Sequence, residues 1–186
     1  MLFRSLVQFY QQGGATSAEA IAFRDRKLAE RSNKAEPHLQ ALLRTLDRIH
    51  TEAVKRGVYI GVENRYHYHQ IPFGDEFDLL FAEFRGGHLR YWHDCGHAEL
   101  NHRLGFLHHE SDLLARHQDH LTGFHIHDIN GLKDHKAPGQ GNLDFALIAR
   151  YQKSHMLKIL EVHQPATAEH IRDGVRLLRQ AGIGEE

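Results

Sequence analysis

The chain has 186 residues, 41% hydrophobic and 25% charged, with a formal net charge of −1, the composition of an ordinary folded domain with room for one core. Nothing approaches the run of roughly 18 apolar residues that a membrane helix needs, the opening MLFRSLVQFYQQGG lacks the pattern of a secretory leader, and no Lys/Arg tract marks a general nucleic-acid binder. The single cysteine, Cys95, excludes an internal disulfide and suits a reducing cytoplasm, where we expect the protein to reside. The 18 histidines are the outlier, and they are spread along the chain rather than run together as a tag.

Residues 1–57 read as a helical lead-in. A first helical turn around Leu6–Tyr10 breaks at Gly13-Gly14. Thr16 or Ser17 then caps a helix to about Ser32, with Glu19 in the position of a capping-box acid. Pro37 suits the first turn of a separate helix. That helix carries Leu39, Leu42, Leu43, Leu46, Ile49 and Ala53 at spacings of three and four, a core-facing stripe, and Gly57 ends it. From residue 58 onward strands alternate with helices: strand Val58–Glu63, helix Asp75–Phe84, strand Leu89–His93, helix Ser111 to about Asp119, strand Leu121–Asp128, helix Leu143–Gln152, strand Met156–Val162, helix Thr167–Ala181. That alternation predicts βα units on a parallel sheet.

Each strand finishes in a metal-type residue: Glu63, Asp94, His125 and Glu161. The first three are 31 residues apart and the fourth lies 36 further on. A (β/α)8 barrel of about 250 residues spends about this length on each unit and places its site at the C-terminal strand ends. We therefore expect 1–186 to be one partial TIM-barrel domain, α/β in class, in which 58–186 supply the last four βα units and the N-terminal strands are missing. Leu2-Phe3-Arg4-Ser5 is also what the end of a common sequencing adapter encodes, so the frame is expected to start at a read end. A bare carboxylate is costly to bury, and imidazole with carboxylates is the ordinary mixed ligand set of a divalent ion. The segment LTGFHIHDINGLKDHKAPGQGNLDF adds His127, Asp128, Asp134, His135 and Asp144. In it His127 and Asp128 either orient ligands or are simply buried in the sheet, and Gly139 and Gly141 permit a tight loop. Cys95 is assigned no chemistry.

GVEN, YWHDCGHAE, HIHD…DHKAPGQGNLDF and ILEVH, in this order over about Pro37 to Ala181, resemble the xylose-isomerase-like TIM-barrel superfamily. Its members include the sugar phosphate isomerase/epimerase group and the family 2 AP endonucleases. The resemblance implies one divalent ion, Mn²⁺, Mg²⁺, Zn²⁺ or Co²⁺, held by Glu63, Asp94, His125 and Glu161, with Glu63 and Glu161 also moving the substrate proton through an enediolate. His97, His135 and Asp134 would bind a second metal or the substrate. Lys133 stands where the endonuclease branch has its aspartate, which displaces Asp134 by one. Asn64, Arg65, Tyr66 and His67 follow the first ligand and are expected to line a pocket for a small-molecule sugar or sugar phosphate. The expected function is thus a metal-dependent isomerase or epimerase. The alternatives are an endonuclease IV-like phosphodiesterase or an inactive fragment, and the exposed barrel edges predict self-association.

Overall fold

The computed structural model describes residues 2–109 and 111–184. Helix α1 (Leu2–Gln11) and the 39-residue helix α2 (Ala18–Arg56) precede the sheet. Ser17 caps α2 by accepting a hydrogen bond from the backbone N–H of Ala20, and Gly57 ends it in the left-handed conformation at φ 63°. Pro37 therefore does not start a new helix but sits inside this one. The expected break is overridden because the residues before it, Asn33-Lys34-Ala35-Glu36, continue the helix and the stripe beyond it is buried. Leu39, Leu46 and Ala53 are 6% exposed or less, and that packing offsets the lost backbone bond.

Four parallel strands follow, β1 (Ile60–Glu63), β2 (Leu89–Asp94), β3 (Leu121–Ile126) and β6 (Leu157–Leu160), paired in the order β1-β2-β3-β6. Between β3 and β6 lies a separate antiparallel hairpin, β4 (Asp128–Asn130) with β5 (Lys133–Lys136). The connecting helices are α3 (Glu76–Glu83), α4 (Cys95–Arg103), α5 (Asp112–His117), α6 (Phe145–Tyr151) and α7 (Ala168–Gln180).

The expectation of a TIM-barrel fragment is corrected by this sheet. It is an open four-stranded parallel sheet with β1 and β6 at its two edges. The hairpin interrupts the unit between the last two strands, and the segment ahead of β1 is helical. The regular spacing of Glu63, Asp94 and His125 measures the length of a βα repeat. An open parallel sheet has the same repeat length as a closed barrel, so the spacing carries no information on closure.

One face of the sheet is dry. Leu89, Tyr91, Phe124 and Ile126 pack there against Leu39 and Leu46 of α2, Phe77 and Leu80 of α3, Leu114 of α5, Ile148 of α6 and Leu178 of α7. Residues partnered in a parallel register share a face, so Gly61, Glu63, Trp92, Asp94, Gly123 and His125 occupy the other side. The Trp92 indole lies across Gly61 and Gly123. A Cβ at Gly123 would stand 2.5 Å from the ring, which is why this strand position has no side chain. The same indole meets the His125 imidazole edge to face at 5.2 Å.

Candidate functional site

Register brings the four strand ends together. Asp94 is level with His125 across β2 and β3, Glu63 is level with Trp92 across β1 and β2, and the N–H of Glu161 bonds to the Ile126 carbonyl at 3.0 Å, just beyond β6. One ligand atom from each of Glu63, Asp94, His125 and Glu161 lies within 4.8 Å of the other three. His125 Nδ1 is 2.5 Å from Glu63 Oε1, 3.1 Å from Glu161 Oε2 and 3.8 Å from Asp94 Oδ2. Atoms bound to one ion at about 2.1 Å stand about 3.0–3.4 Å apart, the same scale. A single imidazole N–H cannot satisfy three converging carboxylates, and their mutual repulsion is relieved by a cation at their centre. The donor set therefore fits a divalent ion.

Asp94 is the buried member, and its chemistry is set by two neighbours. Its Oδ1 accepts the His97 backbone N–H at 2.7 Å, capping α4, so the carboxylate sits at the positive end of that helix. His127 Nε2 lies 3.0 and 3.1 Å from its two oxygens. Burial pushes the Asp94 carboxyl up, but the hydrogen bond from His127 and the nearby His97 outweigh it and hold the group at about 2. Burial pulls His127 down in turn, and its bond to Asp94 reverses that, so its imidazole is raised. Asn64 fixes the same aspartate from the other side. Its Nδ2 donates to the Asp94 carbonyl at 2.9 Å, and its Oδ1 accepts the Asp94 N–H at 2.7 Å and the Tyr91 hydroxyl at 3.2 Å. Asn64 is thus a buried tie between β1 and β2. Cys95 is buried, its Sγ directed at the His127 carbonyl, and burial raises its thiol far from ionisation.

A second group of side chains adjoins the first. Ligand atoms of His97, Asp134 and His135 lie within 4.8 Å of one another, as do those of His135, Glu161 and His163. Although Asp134 is displaced by one position in sequence, the turn of the backbone at His135, φ 54°, accompanies its carboxylate to 3.1 Å from His135 Nδ1. The His135 ring stacks between His127 at 4.2 Å and His163 at 4.0 Å, and the backbone N–H of His135 donates to His127 Nδ1 at 3.0 Å. His163 was not singled out from sequence. The pattern Glu161-x-His163, which repeats His125-x-His127 at the next strand end, was the available signal.

Asp128 organises the loop that carries these residues. It is 1% exposed, and its carboxylate accepts backbone N–H groups from Ile129, Gly139, Gly141 and Leu143 at 2.8–3.0 Å. Gly139 has φ 91° and a Cβ at Gly141 would come 2.4 Å from the Asp128 carboxylate, so both glycines serve this tight loop. Asp144 caps α6 through the Ala146 N–H. Of the other expected pocket residues, Arg65 Nη1 stands 3.7 Å from Glu63 Oε2, Tyr66 meets the His97 ring edge to face at 5.4 Å, and His67 stacks on His69 at 5.1 Å.

An open parallel α/β sheet with a carboxylate–imidazole cluster at its C-terminal edge is the class that fold and site define. No family model matches the chain. It is similar to an uncharacterized protein, y4fM, of Sinorhizobium fredii, at 31% identity over 112 residues, which are 60% of this chain and 34% of that protein. Among solved structures it is similar to the apo form of 3-keto-D-glucoside 4-epimerase, YcjR, from E. coli, with a TM-score of 0.57 and 22% identity over 76% of this chain. The chain spans about half of that structure, 53% of its length, and a third of the curated relative. At this identity the likeness is one of fold. Among the described residues no helix is long and apolar enough to cross a membrane.

Proposed function

We propose that the chain carries the site of a divalent-metal-dependent sugar isomerase or epimerase. The observation that carries this reading is the convergence of Glu63, Asp94, His125 and Glu161 to within 4.8 Å at four adjacent strand ends. The solved sugar epimerase of similar fold supports it, as does the resemblance of the strand-end motifs to the xylose-isomerase-like superfamily. A cation held by these four side chains would supply Lewis-acid polarisation of a sugar carbonyl.

The remaining work falls to the chain. Glu63 and Glu161 flank His125, and each has its other oxygen beside a second group. Glu63 Oε2 faces Arg65, and Glu161 Oε1 is 3.6 Å from His135 Nε2. Glu161 removes the proton from the carbon next to the carbonyl, with His135 beside its other oxygen, and Glu63 delivers to the opposite side of the resulting enediolate a proton it has taken up from solvent, while Glu161 gives its own back to solvent. His127 and Asn64 hold Asp94 in place, the supporting role of groups that orient ligands.

The test is solvent deuterium incorporation into a ketose by the protein supplied with Mn²⁺. Metal-dependent exchange that is lost in Glu161→Gln supports the assignment, because the amide retains an oxygen but is no base. Exchange at the parent rate in that variant removes Glu161 from the chemistry. The grouping of His97, Asp134 and His135 favours one second reading, a phosphodiesterase using more than one ion. Cleavage of abasic DNA without any proton exchange on ketoses would select it.

A further inference from the structure

A run of buried polar side chains leads from the dry face of the sheet to the strand-end cluster. Tyr91, His93 and Asn64 are 2% exposed or less, and alternation along β2 puts Tyr91 and His93 on the face opposite Asp94. In such a core each polar group needs a hydrogen bond, and here one bond dictates the next. The Asn64 amide meets both backbone groups of Asp94, the N–H at 2.7 Å and the carbonyl at 2.9 Å. An N–H can meet only the amide oxygen and a carbonyl only the amide NH2, so the orientation of the Asn64 side chain is fixed. Its Oδ1 is an acceptor, so the Tyr91 hydroxyl 3.2 Å away must donate its one proton there. The 2.9 Å contact between that hydroxyl and His93 Nδ1 then takes its proton from the imidazole.

We infer that Tyr91 and His93, the latter as its Nδ1–H tautomer, are positioning residues for the Asp94 ligand and act on it through Asn64. The inference deepens the divalent-metal reading and rests on it. The donors run one way, from His93 Nδ1–H to the Tyr91 hydroxyl to Asn64 Oδ1, and bonds in such a series polarise one another. Asp94 is the residue at which β2 passes directly into α4, so its backbone sets where the carboxylate points. Asn64 grips that backbone on both sides, Tyr91 holds Asn64, and His93 holds Tyr91. Tyr91 otherwise belongs to the apolar cluster of Phe77, Leu89, Phe124 and Ile126, where phenylalanine and leucine would pack without desolvating two polar groups. Groups that orient a metal ligand raise the affinity of the site without touching the ion.

Two measurements test this. Long-range nitrogen-15 NMR on the EDTA-treated protein reads the tautomer without any metal, so its failure is distinct from a failure of the metal reading. His93 should show a protonated Nδ1 and a bare Nε2, and a bare Nδ1 overturns the inference. Titration with Mn²⁺ reads the positioning. Tyr91→Phe and His93→Leu should each weaken Mn²⁺ binding by about tenfold, the lower end for groups that orient a ligand. His93→Asn, whose amide NH2 can stand in for Nδ1–H, should restore affinity to within about twofold of the parent. Phe77→Leu loosens the same core, since Phe77 meets the Tyr91 ring edge to face at 5.5 Å. It leaves the hydrogen-bonded series intact and should change affinity by less than about twofold. Parent affinity in Tyr91→Phe rejects the positioning role. Equal weakening by Phe77→Leu and Tyr91→Phe also rejects it, because the effect would then be general loosening of the core. A parent chain with the expected tautomer and no Mn²⁺ binding would reject the metal reading, and the positioning role with it.

Discussion

Replacing Asp128 tests whether the second half of the site is held by one carboxylate. This side chain accepts four backbone N–H groups, from Ile129, Gly139, Gly141 and Leu143, and it is 1% exposed. In Asp128→Ala all four donors lose their acceptor. Leaving one buried donor unpaired costs about 1–3 kcal/mol, and the half-buried loop admits water to some of them. We therefore expect a loss of about 3–5 kcal/mol. Asp128→Asn retains one acceptor oxygen and turns an NH2 toward the remaining donors, so it should lose about half as much. The loop carries His135, whose N–H is bonded to His127, so the His97–Asp134–His135 group should loosen with it. Urea unfolding with an unchanged slope gives the stability, and hydrogen exchange at Gly139, Gly141 and Leu143 locates the loss. A loss below 1 kcal/mol in Asp128→Ala, with protection at those amides intact, would refute the argument.

Acid should destabilise the fold through two neutral buried histidines. Burial lowers His93 to about 3 and His117 to about 4. The unfolded chain takes up protons near pH 6.5 while the folded one does not, so stability is full above that pH and falls as pH drops toward those values. Each histidine accounts for roughly 2 kcal/mol by pH 5; His117→Phe should flatten the midpoint-against-pH curve between pH 6.5 and 4, and an unchanged slope would remove His117 as a cause. The sheet edges give a further expectation. Leu157 and Ile159 of edge strand β6 are 59% and 45% exposed, and an open apolar edge invites pairing. The chain should self-associate, and Leu157→Lys with Ile159→Lys should yield monomer in light scattering, whereas a parent chain that is already monomeric would refute this.

What could be read from sequence follows from which signals are local. The strand ends and their ligand types were legible because a parallel strand shows as a short apolar run and its C-terminal residue follows directly. The caps were equally local: of Thr16 and Ser17 it is Ser17 that caps α2, and Gly57 ends it. Helix α4 was not anticipated, since Cys-Gly-His-Ala-Glu-Leu carries little apolar periodicity and its cap, Asp94, reads first as a ligand. The strand Lys133–Lys136 has no apolar alternation and exists only through its pairing with Asp128–Asn130. Whether a parallel sheet closes depends on contacts that no repeat length encodes, and the barrel expectation failed there. In the site, the structure places Arg65 3.7 Å from Glu63, His135 beside Glu161 and His127 against Asp94. That the Asn64 amide meets both backbone groups of Asp94 is visible only in the fold.

The central claim is that Glu63, Asp94, His125 and Glu161 form one divalent centre. Titration of the EDTA-stripped protein with Mn²⁺, followed by loss of the free-ion paramagnetic resonance signal, tests it most directly. The account predicts at least one bound ion per chain, affinity reduced a hundredfold or more in Asp94→Ala and in His125→Ala, and unchanged binding in Cys95→Ser. Mn²⁺ binding that survives in both ligand variants at the parent affinity, or no saturable binding by the parent chain, would contradict it.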